Sequence, residues 1–291
     1  VTSVMDARPA TMIAHFLNDA ANPKYSGFPS LCISLFPTRD PDLRAYAGET
    51  ESKAGGVYIT SVEPGLPAAK AGLQAGDIVT AVEDHEIDQN GNYVDALYGK
   101  IGFGNLLTAK AYVGDSVPLH VLREGKPLTL NVKLENRLEE DYVIPPYNID
   151  DQPSYYVLGG LIFQELSRQY VKEWGGDWQK TAPQDFVYLD RFQSELFPEG
   201  RQRVVILSQV LPANSTIGYD DFSYLIVKKV NGKEVKSLGD LAEAVKNPVN
   251  GFHVIETQDD PKQLEIDAAQ AAADADALKQ NYGLPALQHL P

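Results

Sequence analysis

Apolar positions recur at two spacings along this chain, and the switches between them lay out its elements. Met12, Ile13, Phe16 and Leu17 fall on one face at helical spacing, which predicts an amphipathic helix over residues 10–17. Leu31, Ile33 and Leu35 then alternate with Cys32, Ser34 and Phe36, a strand entered through a turn at Gly27 and Pro29. Asp40 to Gly48 predicts a short helix, with Asp40 as its N-cap and Gly48 as its stop. Period two returns at Val57–Val62 and is broken by Pro64-Gly65. A short helix from Pro67, a tight turn at Gly76-Asp77 and a buried strand Ile78–Val82 follow. Asp88 to Gly104, rich in Gly and Asn, reads as an insertion with a turn at Asn90-Gly91. Phe103 to Tyr112 reads as a helix. Two further strands, Val117–Leu122 and Leu128–Leu134, are joined through Gly125.

Asn136 to Asp151 is acidic, contains Pro145-Pro146 and reads as a linker. Beyond it the pattern restarts. Tyr155 to Phe163 is an apolar strand interrupted by Gly159-Gly160. Val204–Pro212 echoes Val57–Pro64 with one extra residue, and Leu225–Val235 echoes Asp77–Ile87 around an Asn231-Gly232 turn. Ser237 caps a helix over 238–246 whose Leu238, Leu241, Ala242 and Val245 share a face. Two copies of one supersecondary unit predict tandem domains. The second copy carries a long insertion, 164–202, with Leu166, Tyr170, Val171 and Trp174 at helical spacing and further aromatic residues beyond. Packing on its own domain is the expectation for so much apolar surface, and a docking face for a second subunit is the alternative. Asp267–Lys279 is alanine-rich and helical, and Gly283-Leu-Pro285 ends it.

Composition narrows the chemistry. The 291 residues suffice for two domains, each with its own core. A net charge of −15 argues against nucleic-acid partners, and no apolar run reaches membrane-spanning length, so no membrane insertion is expected. Cys32 is the one cysteine, which excludes an intrachain disulfide. The chain opens on Val1, which suggests a trimmed or mature fragment. His15, His85, His120, His253 and His289 are scattered, and neither paired Cys/His ligands nor a serine among oxyanion-hole glycines is present. Glu139-Glu140 and Asp220-Asp221 read as solvated surface carboxylates, and Gly159-Gly160 lacks the Lys-Ser/Thr of a phosphate loop. No catalytic residue, no metal site and no cofactor is expected.

The order strand, short helix, Gly-Asp turn and strand over Gly55–Ile87 resembles the centre of a PDZ domain of the kind found in HtrA/Deg-type serine proteases. Tyr25-Ser-Gly-Phe-Pro, Pro41-Asp-Leu-Arg, Leu122-Arg-Glu-Gly, Pro153-Ser-Tyr-Tyr and Gly175-Gly-Asp-Trp178 extend the resemblance over nearly the whole chain. It resembles most the subfamily typified by the plant nuclear or nucleolar Deg protease and its bacterial relatives. The resemblance implies an α+β fold: two PDZ-like, partly open β-barrels with flanking helices, the second carrying the long helical insertion. The implied division is 1–24 as the last helix of a protease domain otherwise absent, 25–136 and 153–266 as PDZ domains, 137–152 as linker, and 267–291 as C-terminal helix and tail.

It also implies a peptide-binding role. In the first domain Ser30, Leu31, Cys32 and Ile33 stand at the carboxylate-capturing loop, with cysteine where the family has glycine, and Leu106 and Leu107 flank the groove. In the second, Leu158, Gly159, Gly160 and Leu161 stand at the loop, and Leu241 and Val245 line the helix. No histidine begins either groove helix, so apolar ligand tails are expected. The implied function is the non-catalytic part of a Deg-type endopeptidase, binding peptide C-termini or unfolded segments and supporting homo-oligomer assembly through the second domain. The alternatives are a free-standing PDZ adaptor and a module whose own insertion fills the groove. The compartment implied is the periplasm for a bacterial source and the nucleus or an organelle for a plant one.

Overall fold

The computed structural model describes residues 10–23, 25–48, 55–137, 142–147, 152–197 and 203–291. The chain divides into two compact units, Val1–Leu138 and Glu139–Pro291. Val1–Pro9, the Glu139-Glu140 pair, half of the stretch read as a linker, and the end of the insertion lie outside the described residues.

In the first unit the elements run α1 (Ala10–Ala20), β1 (Ile33–Pro37), α2 (Pro41–Tyr46), β2 (Val57–Val62), α3 (Pro67–Lys70), β3 (Ile78–Val82), β4 (His85–Glu86), β5 (Asn92–Asp95) and β6 (Gly99–Gly102). A π-helical turn, Leu106–Lys110, and the strands β7 (Ser116–Arg123) and β8 (Lys126–Lys133) complete it. The main sheet is ordered β1-β2-β3-β7-β8 with β4 on β3, and β5-β6 form a separate hairpin from the insertion. Val57, Ile59, Val79, Val82, Leu119, Val132 and Leu134 fill one core, as their alternation requires. Two sequence motifs meet in a single contact. The carboxylate of Asp77, buried in the Gly-Asp turn, accepts Arg123 Nε at 2.7 Å and Arg123 Nη2 at 2.7 Å, a bidentate pair that ties the turn to the end of β7.

Helix α1 forms as its spacing predicts, but the expected burial is reversed. Ile13, Phe16 and Leu17 are exposed (51%, 42% and 60%), while His15 and Asp19 are buried. The polar face docks because it satisfies buried backbone groups of the unit beneath it, which the apolar face cannot do.

The second unit runs β9 (Tyr155–Leu158), β10 (Leu161–Glu165), α4 (Arg168–Val171), a 3-10 turn at Lys172–Trp174, α5 (Trp178–Thr181), α6 (Gln184–Leu196), β11 (Val205–Val210), a 3-10 turn at Asn214–Thr216, β12 (Leu225–Val230) and β13 (Lys233–Glu234). It closes with α7 (Leu238–Val245), β14 (Phe252–Thr257), β15 (Gln263–Asp267), α8 (Ala268–Ala273), α9 (Ala275–Tyr282) and β16 (Gln288–His289). Its sheet is ordered β15-β14-β12-β11-β10-β9-β16. The insertion packs on its own unit: Leu166, Val171, Ala182 and Phe186 join Ile206 and Ile226 in a second core, with Trp174 and Trp178 at its margin. Val143 and Ile144, from the stretch read as a linker, are buried in that core, and Ile144 N–H donates to Gln193 Oε1 at 3.0 Å.

Candidate functional site

The two units repeat one local geometry. β1 pairs antiparallel with β2 and slips register between Ser34 and Leu35; β10 pairs antiparallel with β11 and slips between Ile162 and Phe163. Ile33 faces Val62, and Leu161 faces Val210. The loops just before these strands are anchored alike, since Glu63 N–H donates to Cys32 O at 3.1 Å and Leu211 N–H donates to Gly160 O at 2.8 Å. Residues 30–32 of the first unit therefore correspond to residues 158–160 of the second.

In the first unit the loop turns through a left-handed residue. Cys32 takes φ of +56°, the left-handed conformation that glycine adopts at no steric cost. Its side chain is buried, with Sγ 3.5 Å from Ser30 Oγ, and its N–H donates to the same hydroxyl at 3.1 Å. Leu31 turns its carbonyl onto Ala68 N–H and its side chain into the core, and Ile33 packs half-buried against that core. Leu106 and Leu107 are also core residues, while the neighbouring Thr108 reaches the surface. Thr108, Phe28, Met12, Ile13 and Phe16 line an apolar cavity of about 490 Å³. Among the described residues no strand pairs with the outer edge of β1.

In the second unit that edge is covered. Gly159-Gly160 is not a loop open to a ligand but the two-residue turn of a hairpin, with φ of +57° and +106°, and it folds β9 back antiparallel onto β10. Leu158 pairs with Leu161 and Tyr156 with Phe163. Tyr156 and Leu158 point into the core that α7 completes with Leu241 and Val245. Val157 and Tyr155 point the other way, toward Leu211, Leu278 and Leu287, and β16 pairs along the far edge of β9. So the positions expected to receive a peptide hold a segment of the chain itself. The occupant is the strand preceding the loop, not the insertion. The reading missed Tyr156 as a groove-filling side chain; two apolar runs flanking Gly-Gly are a hairpin signal that would have found it.

Two other groups of titratable side chains stand out among the described residues. Glu83, Asp84 and His85 bring donor atoms within 4.8 Å of one another, but Glu83 and Asp84 are exposed. A larger open cavity of about 810 Å³ borders Asp88 and Lys100. Burial acts to raise the Asp88 carboxyl, but Lys100 at 2.5 Å and the N–H groups of Asn92 and Asn90 outweigh it and hold the group at about 2. Asp88 thereby shapes its own loop. Burial, then the Asp95 carboxylate, push the Tyr93 hydroxyl up to about 12, which disqualifies it as an acid or base near neutrality.

A strand entered through a left-handed loop or turn, its antiparallel partner slipped at the same place, and a flanking helix are present twice and define the class: each unit is a PDZ domain. PDZ-domain families match residues 30–134 and 144–288. Protease Do-like 2, chloroplastic, of Arabidopsis thaliana is 30% identical over 280 residues, 95% of this chain and 44% of that protein. Protease Do-like 4, mitochondrial, of the same plant is 27% identical over 239 residues, 82% of this chain and 42% of that protein. Serine protease Do-like HtrA of Bacillus subtilis (strain 168) is 38% identical over 85 residues, 29% of this chain and 17% of that protein. The solved structure titled HtrA-type protease AlgW with decapeptide is 21% identical, with a TM-score of 0.29 over 38% of this chain and 30% of that one. This chain belongs to the HtrA/Deg-type protease family and carries its PDZ-bearing region. It spans less than half the length of the curated relatives above.

Proposed function

We propose that this chain is the non-catalytic, substrate-engaging part of a Do-like serine endopeptidase, and that it binds extended peptides with apolar ends in the first groove only. The observation that carries this reading is the contrast between the two equivalent edges: the outer edge of β10 is paired by β9, and among the described residues no strand pairs with the outer edge of β1. A visiting strand on β1 gains main-chain hydrogen bonds, and the Ser30–Ile33 loop receives its carboxylate. Ser30 contributes by fixing the loop, its oxygen accepting from Cys32 N–H at 3.1 Å. Tyr156 and Leu158 in the second groove indicate the ligand chemistry, large apolar side chains at alternate positions. Ser30, Leu31, Cys32 and Ile33 thus form the ligand site, Leu106 and Leu107 support it from the core, and Gly159, Gly160, Leu161, Leu241 and Val245 hold the internal strand. Assembly into homo-oligomers through the second unit is part of the same reading, supported by the exposure of Tyr188 and Leu196 on α6.

The test is a titration with a labelled decapeptide ending in Tyr-Tyr-Val-Leu and a free carboxylate. One site per chain is expected, with a micromolar Kd, about −8 kcal/mol. Absence of binding refutes the groove assignment, and two equivalent sites refute the closure of the second. Light scattering at high concentration tests assembly, and a strict monomer removes it.

A further inference from the structure

The two capture loops share their anchors and differ in what leads into them. In the second unit the lead-in is β9, laid on the groove edge. In the first, the corresponding residues Gly27–Ser30 run elsewhere, although their register allows the same fold-back. Pro29 corresponds to Val157, whose N–H points away from β10 and donates to Leu287 O at 2.7 Å. A proline there would forfeit no bond to the groove strand. Phe28 corresponds to Tyr156, the side chain that fills the second groove.

The first lead-in is bound to α1. Asp19, buried on that helix, accepts Ser26 N–H at 2.9 Å and Gly27 N–H at 2.8 Å. Four residues earlier, His15 stacks against Phe28 with ring centroids 5.2 Å apart and against Tyr112 at 4.0 Å. Its Nε2 donates to Ala111 O at 2.7 Å, at the end of the groove helix. One face of α1 therefore holds both the lead-in and the wall opposite β1. Ser30 N–H is in turn held by Glu135 O at 3.1 Å, which carries the chain off the edge.

We propose that His15 and Asp19 are positioning residues that keep the first groove open, α1 acting as a latch that pulls Phe28 out of the place Tyr156 fills in the second unit. This rests on the first groove being the ligand site. Releasing the latch lets Gly27–Ser30 settle on β1 and compete with a peptide. Leu31, standing where the second unit has Gly159, resists the hairpin turn because its Cβ disfavours positive φ. Closure is therefore partial, and the loss of affinity should be graded.

The test uses the full chain with both His15→Ala and Asp19→Ala, and the Tyr-Tyr-Val-Leu decapeptide as probe. If about a fifth of the molecules keep the groove open, Kd rises about fivefold. Amide exchange over Ile33–Phe36 should slow in the variant without peptide, because the edge becomes paired; mere loosening of α1 would speed it. Adding Phe28→Gly should restore both affinity and fast exchange. Affinity within twofold of the parent, or faster exchange along β1, overturns the proposal. If the parent chain itself fails to bind the probe, the groove assignment fails, and the exchange measurement still decides the latch.

Discussion

Truncating the side chain that seats the internal strand measures how firmly the second groove is closed. Leu158 is 7% exposed, at the end of β9, and packs in the core shared by β10, β11 and α7. Leu158→Ala removes three carbons, which at about 0.8 kcal/mol per buried methylene is about 2.5 kcal/mol of transfer free energy. A residual cavity adds to this, and comparable replacements span about 2–5 kcal/mol, so about 3 kcal/mol is expected at this nearly enclosed position. Both tryptophans of the chain, Trp174 and Trp178, lie in the second unit and pack at its second core. Tryptophan emission during urea unfolding therefore reports this unit alone. With m of about 2 kcal/mol/M, the midpoint falls by about 1.5 M urea. A midpoint shift below about 0.5 M would mean that β9 rests on the groove without filling it, and the closure argument would fail.

Three further outcomes follow from the same contacts. Gly160→Ala places a Cβ 2.5 Å from Leu211 O at φ of +106°, so the hairpin turn must shift; a loss of about 2–3 kcal/mol is expected in the same tryptophan assay. Arg168→Met strands Asp190, which is 5% exposed and accepts Arg168 Nε at 2.9 Å and 3.1 Å. Burial already pushes the Asp190 carboxyl up despite Arg168, and because Arg168 is itself a third exposed the expected loss is about 2–3 kcal/mol, below the usual range for breaking a buried pair; Asp190→Asn in the same background should recover part of it. Asp274 shows the opposite balance. Burial acts to raise its carboxyl, but bonds from Ser215 O–H and N–H, Asn214 and Gln270 outweigh it and hold the group below 3.8. A depressed folded value contributes stability above pH 3.8 that is lost as pH falls through the folded value. Asp274→Asn should therefore cost about 1–2 kcal/mol at neutral pH, and the difference from the parent should shrink in acid, as read by urea midpoints across pH.

Much of this architecture is legible because period two and turn chemistry are local. The echo of Val57–Pro64 in Val204–Pro212 is the pair β2 and β11, down to the same register slip in the strands that face them. The Gly-Asp turn is legible for the same reason, since Asp77 acts within its own loop on Gln74 N–H at 2.9 Å. What escapes is set by partners distant in sequence. Nothing near His15 reveals that Ala111 O, 96 residues on, awaits a donor. Nor does the local composition of Val143-Ile144 reveal Gln193, so an acidic proline-containing stretch reads as linker although its apolar pair is buried. Gly159-Gly160 illustrates a different limit. Two glycines between apolar runs fit a capture loop and a hairpin turn equally, and the distinction lies in whether the preceding residues have somewhere better to go.

That distinction also bears on why, among the described residues, the outer edge of β1 is unpaired and its equivalent on β10 is not. An unpaired strand edge is a liability, because any extended chain can dock on it. The second unit removes the liability with four residues of its own chain, backed by β16 and by the contacts of Val157 and Tyr155 with Leu278 and Leu287. The first unit limits it differently: β1 is only five residues long and its register is disturbed at Ser34, so a visiting chain finds few consecutive bonds unless its end also reaches the Ser30–Ile33 loop. On the proposed binding mode, affinity would depend on presenting a terminus, which folded proteins rarely offer in extended form and damaged or cleaved ones do. Selectivity for ends over internal segments follows, and a decapeptide with an amidated C-terminus should bind the first groove more weakly than its free-acid twin. Equal affinities would show that the edge alone does the binding and that the loop contributes nothing.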